Sequence, residues 1–348
     1  MTKPKSFGAL PAGARLERIE QSPNYKNEGF QNLESTDMRI QGASYFTLMR
    51  KFFAKGVDRE PVKLIPSVKT DLRAPAPELP CIIWFGHSSY LITIGDKKIL
   101  IDPVFSERTS PFRSIGKKAY VGTLPYTADD MPEIDALIIT HDHYDHLDYD
   151  TIIKLKSKVK KVYTSLGVGS HLEFWGITAD KITEFDWGQH ETILPDIELI
   201  ATPARHFSGR GLIRNKTLWS SFVLRTSTQR IFIGGDSGYD ASFKKIGEEF
   251  GPFDLVLLEC GQYDPMWPFI HMMPEQTAQA AVDLKAKVLL PVHWGKYTLS
   301  LHRWYDPIQR VTRRAAELNL SVTTPMIGEK VEIGKTYPAS TWWNAVIG

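Results

Sequence analysis

The stretch that most limits what this chain can fold into is ALIITHDHYDHLDYD, residues 136–150. Ala136, Leu137, Ile138 and Ile139 read as the end of a buried strand. His141, Asp142, His143, Asp145 and His146 then fall within six positions. Bringing so many ionisable groups to a sheet edge costs desolvation unless they are paired or coordinated. His141 and His143 are two apart, so in an extended segment they point to one side and can hold one metal ion. Asp145 and His146 come where the chain turns off the strand and can face a second ion.

Two ions need more ligands, and these should also follow apolar runs. His206 follows IELIATPAR, Asp236 follows RIFIGG, and His293 follows KVLLPV. Gly234, Gly235 and Gly238 leave room for close backbone approach around Asp236. The expected arrangement puts His141, His143 and His206 on one ion and Asp145, His146 and His293 on the other. Asp236 bridges them, since a carboxylate has two oxygens. Mixed imidazole and carboxylate ligands suit two zinc ions, with manganese or iron also compatible. Such a pair can share a hydroxide and clamp attacking and leaving oxygens, which points to a hydrolase rather than to closed structural sites. Asp145 is then both a ligand and the residue that orients the hydroxide.

Other histidines are read by context. His87, in WFGHSSYL, follows a strand and is expected to support the site from behind the ligands. His271, in PFIHMMPEQ, lies in a loop before a helix, where it either serves the reaction or caps and packs. His171, His190 and His302 have no strand-end partner and read as structural or exposed. Arg205, Arg210, Arg214 and Lys216 crowd the loop after His206. They read either as solvated loop charges or as a receiver for an anionic group, with Arg210 the residue singled out.

From residue 81 the pattern is strands first, then strands alternating with helices. That implies two sheets with helices outside, an α/β fold of the αββα sandwich type. No Gly-rich phosphate loop follows a strand. Gly251 is the expected stop of one helix and Pro274 the start of another. The KLKSKVKK run at 154–161 reads as a solvated helix end. Residues 1–80 are expected to form an N-terminal arm on the main domain, 81–348. Within the arm, ASYFTLMRKFFAKG at 43–56 has helical spacing of apolar residues flanked by cations. It either packs on the main domain or on a second subunit of a homodimer, or rests on a membrane surface.

Net charge is +2, which argues against a nucleic-acid binder. Cys81 and Cys260, the two cysteines, sit in or beside apolar runs and read as buried thiols, which fits a cytoplasmic protein. No apolar stretch has the length of a signal-peptide core or a spanning helix. A peripheral position at a membrane would follow if the arm helix touches lipid.

The motifs THDHYDHLD, ARH, GGDSGY and PVHWG resemble, in order, the metal motifs of the metallo-β-lactamase superfamily. SPNYKNEGFQN, WFGHSSYLITI, DPVFSERTSPF, FGPFDL, IHMMPEQ and HWGKY resemble the branch that contains N-acyl-phosphatidylethanolamine-hydrolysing phospholipase D. The likeness runs over roughly residues 22–305. It implies the αββα sandwich, a binuclear zinc centre on the seven ligands named above, and a place for His271 near a scissile phosphate. The implied activity is a phosphodiesterase of phospholipase D type on N-acyl phosphatidylethanolamine-like lipids, through a metal-bridging hydroxide. A more distant likeness, to ascorbate-6-phosphate lactonases, implies the alternative of a lactonase or esterase on a small phosphorylated or polar substrate. Where the lipase branch has IGAY, this chain has ECGQYDPMW, so Glu259 and Gln262 mark a departure.

Overall fold

Short apolar runs of period two build two seven-stranded sheets in a computed structural model that describes residues 4–38, 50 and 56–348. A small hairpin, β1 (Tyr25–Lys26) and β2 (Gly29–Phe30), comes first. One large sheet holds β3 (Cys81–Trp84), β4 (Tyr90–Ile94), β5 (Lys97–Ile101), β6 (Ile134–Ile139), β7 (Val159–Ser165), β8 (Ile182–Phe185) and, at its other edge, β16 (Lys330–Glu332). The second holds β9 (His190–Leu194), β10 (Ile197–Thr202), β11 (Ser221–Arg225), β12 (Arg230–Ile233), β13 (Leu255–Glu259), β14 (Val288–Val292) and β15 (Ser321–Val322). Each sheet is antiparallel in one half and parallel in the other. The parallel strands are buried on both faces, which is why β6, β13 and β14 read as unbroken apolar runs.

Alternation along β6 shows the layers. Ala136 and Ile138 join the core between the sheets, with Ile92, Ile99, Leu199, Phe222 and Leu257. Leu137 and Ile139 face the other way, onto Ile152, Leu155 and Leu172 of the helices Tyr149–Leu155 and Gly169–Phe174. On the far side, the helices Ser242–Glu249, Pro274–Asp283 and Asp306–Glu317 pack in succession outside the second sheet. The expected αββα sandwich is therefore what forms, and Pro274 does open its helix. Cys81 and Cys260 are buried free thiols.

The arm is described in part. Ile19, in the helix Ala14–Glu20, and Phe30 bury against Leu166, Ala204, Leu218 and Trp219 of the main domain. The amphipathic stretch 43–56 lies outside the described residues apart from its Arg50 and Gly56. The 154–161 charge run differs from its reading as a helix end. Lys154 closes a helix, but Val159 is buried and opens β7 beside Ile134. The lysines at 160 and 161 are exposed along that strand, so the run belongs to two elements.

The topology fixes where chemistry can sit. β3 and β5 run parallel to β6, and β10 runs parallel to β12, β13 and β14. Residues just past the ends of all these strands meet at one rim of the sandwich.

Candidate metal centre

His141, His143, Asp145 and His146 follow β6, His206 follows β10, Asp236 follows β12 and His293 follows β14. They converge, with His87, as two adjoining sets of donor atoms, and Asp236 and His293 also group with Glu259 and His271. In the first, His143 Nδ1 lies 3.0 Å from His141 Nε2 and 3.2 Å from His206 Nε2. Asp236 Oδ2 lies 3.8 Å and 3.7 Å from those two Nε2 atoms. In the second, Asp145 Oδ2 lies 3.8 Å from His146 Nε2 and 3.9 Å from His293 Nε2. Asp236 Oδ1 faces this set, 3.2 Å from His146 Nε2. One carboxylate thus reaches both sets.

The outer nitrogens decide which atoms face inward. His146 Nδ1 is 2.7 Å from Asp102 Oδ2. His206 Nδ1 is 2.8 Å from the Ile270 carbonyl. The Thr140 hydroxyl donates to Asp102 and so accepts from His141 Nδ1, 3.0 Å away. These partners put the ring protons of His141, His146 and His206 on Nδ1 and leave their Nε2 lone pairs bare, those of His141 and His206 facing His143 Nδ1.

This arrangement fits metal ions and little else. Lone pairs about 3 Å apart repel unless a cation lies between them. Burial, together with the neighbouring imidazoles, holds His141, His206 and His293 well below the usual histidine range and lowers His143. Burial would raise the carboxyls of Asp145 and Asp236, yet the surrounding histidines outweigh it and hold both well below their usual range. His146 is the exception. Burial opposes its charge, but Asp236, Asp145 and Asp102 win and hold it well above the ordinary value. That spot demands positive charge, from a proton or from a metal. His146 Nε2 and Asp236 Oδ1 are also buried atoms with no hydrogen-bond partner.

His87 stands among the donor atoms of the second set. It is fully buried, with Nε2 2.9 Å from Asp145 Oδ2 and its ring centroid 4.0 Å from that of His293. The two backbones are locked together, because His293 N–H donates to the His87 carbonyl and His87 N–H to that of Trp294. Both residues hold positive φ, 54° and 66°, a conformation non-glycine residues adopt only when the surroundings enforce it.

Arg210 has a different place from the one expected. It is buried, and its Nη1 donates to the carbonyls of Asp142 and Leu147 at 2.6 and 2.7 Å. Nε and Nη2 both donate to the Ser6 carbonyl. The guanidinium lies over the rings of Tyr144 and Trp175. It clamps the ligand loop to the arm, and its donors are spent on backbone instead of facing an anion. Arg205 is likewise tied to Ser35 and Thr36. Arg214, stacked over Phe207, whose ring packs on His143, is the arginine of this loop nearest the ligands with its charge toward solvent. His171, read as structural, is buried against Asp142. His190 is exposed and paired with Glu198, and His302 Nε2 accepts from Gln262 N–H.

Asp102 goes unmarked by the sequence, and Glu259 stands out there only as a departure from the lipase branch. Asp102, just past β5, takes Thr140 N–H on Oδ1 and the Thr140 hydroxyl and His146 on Oδ2. It obeys the same strand-end rule, but a lone Asp-Pro after a strand reads as a turn. Glu259 ends β13 at 1% exposure and meets His271 Nδ1 at 2.7 Å. His271 in turn stands with its ring 5.1 Å from His206 and 5.3 Å from His293. Burial pushes Glu259 up to about 7. Burial also opposes a charged His271, but the adjacent Glu259 prevails and carries it up to about 9.

A model of the β-lactamase superfamily domain matches residues 97–294, from β5 through His293. The chain belongs to the metallo-β-lactamase superfamily. The superfamily's metal-dependent hydrolases are accordingly the class in which this candidate centre sits. An uncharacterised Mycobacterium tuberculosis protein is 38% identical over 98% of this chain and 92% of its own. An N-acyl-phosphatidylethanolamine-hydrolysing phospholipase D of Caenorhabditis elegans is 32% identical over 64% of this chain. A mitochondrial one of Saccharomyces cerevisiae is 32% identical over 66%. The aligned parts cover 65% and 50% of those two enzymes. Among solved structures, a metallo hydrolase of Ignicoccus hospitalis superposes with a TM-score of 0.56 at 21% identity, over 72% of this chain and 97% of that one. That likeness is one of fold.

Proposed function

We propose that this superfamily member is a zinc-dependent phosphodiesterase of phospholipase D type, acting on N-acyl phosphatidylethanolamine-like lipids. The observation that carries the reading is the shared carboxylate. Asp236 reaches two adjoining ligand sets, the layout of a two-metal site that serves in-line displacement at phosphorus. The likeness to the worm and yeast phospholipases supports the substrate class.

Two zinc ions on His141, His143, His206, Asp236, Asp145, His146 and His293 would supply Lewis acidity and activate a water. The chain's own residues do the rest. Asp145, held by His87, orients the attacking water. Asp102, Thr140 and the Ile270 carbonyl keep three imidazoles in the tautomer that presents Nε2. His271 stands beside both sets and is the group that serves the leaving oxygen. Among the described residues no helix is long and apolar enough to cross a membrane. On this reading the protein meets its lipid as a cytoplasmic, peripheral protein.

The test is to incubate zinc-loaded protein with an N-acyl phosphatidylethanolamine in micelles made with ¹⁸O water. Mass spectrometry should find N-acylethanolamine and phosphatidic acid, with the label in the phosphatidic acid because attack is at phosphorus. Asp145→Asn should make neither. No product from metal-replete protein would overturn the reading and favour a lactone or ester substrate.

A further inference from the structure

Glu259 is an acidic residue in a place where an apolar one is expected. It ends the buried run LVLLE and is 1% exposed. A carboxylate there must be fully partnered. Its Oε1 takes the N–H of Ser237 at 2.8 Å and that of Met272 at 3.3 Å. Its Oε2 meets His271 Nδ1 at 2.7 Å. The Thr277 hydroxyl donates to the Glu259 carbonyl at 2.8 Å, fixing the backbone. Ser237 follows the shared ligand Asp236, and Met272 follows His271. One side chain therefore ties the loop after β12 to the loop that carries His271.

The backbone donors want an acceptor on Glu259, so the hydrogen in the Glu259–His271 bond belongs on Nδ1. That leaves Nε2 as the working nitrogen of the imidazole. His271 is also less buried than Glu259, 12% against 1% by side chain, so the pair runs from the core out toward the mouth.

We propose that Glu259 is a positioning residue for His271: it fixes the Nδ1–H tautomer and turns Nε2 to the leaving oxygen, so that this enzyme handles alkoxide leaving groups. The inference rests on the phosphodiesterase reading for its substrate. In the step, an oxygen from water forms a new bond to phosphorus as the bond from phosphorus to the leaving oxygen breaks. The electron pair of the broken bond stays on the leaving oxygen, and the Nε2 proton of the charged His271 imidazole moves onto it, giving an alcohol and leaving the neutral Nδ1–H tautomer that Glu259 holds. Glu259 keeps its hydrogen bond to Nδ1–H throughout. Solvent restores the Nε2 proton and takes the one lost by the water.

The distinguishing experiment varies the leaving group. A 4-nitrophenyl ester leaves without a proton, whereas an alkyl ester does not. For Glu259→Gln, kcat on the alkyl diester should fall about 100-fold with KM unchanged, while the nitrophenyl diester changes less than about threefold. His271→Gln should show the same split, and the double variant should be no worse than either single one, because the pair acts as a unit. Equal losses on both esters, additive losses, or a missing equivalent of zinc in Glu259→Gln would overturn the proposal. A second readout needs no turnover. In ¹⁵N spectra, the signals absent from His271→Gln should show a protonated Nδ1 in the unmodified protein and a mixed tautomer in Glu259→Gln. An unchanged tautomer in Glu259→Gln refutes the positioning role. Failure of the unmodified, metal-replete enzyme on every diester would instead count against the phosphodiesterase reading, and the tautomer result would still decide the role of Glu259.

Discussion

Replacing Lys296 with methionine should leave the ligands in place and change how stability responds to pH. Lys296 lies three residues after His293 and is wholly buried. Its Nζ donates to the carbonyls of Phe85 at 3.0 Å and Val104 at 2.8 Å, beside the rings of Phe105 and Tyr297. Both acceptors are neutral, and the attraction of Asp148 is too small to offset the lost hydration of an ammonium ion. Burial pushes the amine from 10.5 down to about 7. At about 1.4 kcal/mol per pH unit, carrying the charge in the folded state costs roughly 5 kcal/mol. The sign follows from proton counting. Between the folded value near 7 and the unfolded value of 10.5, the unfolded chain binds the extra proton, so stability rises with pH. Methionine has nothing to titrate. The stability of the native protein minus that of Lys296→Met should therefore grow by roughly 2 kcal/mol from about pH 7 to about pH 9, and flatten below about pH 6. For a chain of 348 residues this is a shift of about 3 °C in the Tm difference. The two lost hydrogen bonds add a constant offset that cancels in the comparison. Paired thermal melts at equal metal content measure it. A difference that stays flat from about pH 7 to about pH 9 would refute the argument, because Lys296 would then keep its proton when folded.

Asp102→Asn should weaken metal affinity about 10- to 100-fold, read by competition with a chelating dye, since Asp102 holds both His146 and Thr140. Unaltered affinity would mean those imidazoles are oriented by packing alone. Arg210→Met removes donors from the Asp142, Leu147 and Ser6 carbonyls and should cost about 3 kcal/mol in a melt. It should also raise KM for charged and neutral substrates alike. A rise confined to anionic substrates would return Arg210 to a binding role. Chelation should lower Tm, and free zinc at about a hundred times its Kd should restore about 2.7 kcal/mol. A chelator-insensitive melt would show that the ligand sets hold no ion that matters to folding.

Most of the centre was legible because the fold obeys one rule. An apolar run of strand length, followed at once by His or Asp, marks β6, β10, β12 and β14, and parallel geometry brings those ends together. The rule needs no long-range information, which is why the convergence of these side chains could be read locally. It failed where a residue's role depends on a distant partner. Arg210 reads as a loop charge or an anion receiver, and the carbonyls of Ser6, 204 positions away, Asp142 and Leu147 make it a buried clamp. Glu259 reads as a departure within an apolar run, and its meaning comes from His271 and from the N–H of Ser237. Asp102 satisfied the rule, but one carboxylate is a weak signal without the three donors that surround it.

The ligands come from both sheets, and this bears on how the centre forms. His141, His143, Asp145 and His146 belong to the sheet of β3 to β8, whereas His206, Asp236 and His293 belong to the other. Neither sheet alone presents the shared carboxylate to both sets. What holds the two rims in register is local and specific: the paired backbone hydrogen bonds between His87 and His293–Trp294, and Lys296 reaching across to Phe85 and Val104. Both devices join the end of β14 to the first sheet within a few residues of a ligand. The strained φ values of His87 and His293 belong to this junction, and packing of the core between the sheets maintains them. A metal ion bound across the junction would favour the closed sandwich over any state in which the sheets part. Ion affinity and the integrity of the inter-sheet core are therefore one linked equilibrium.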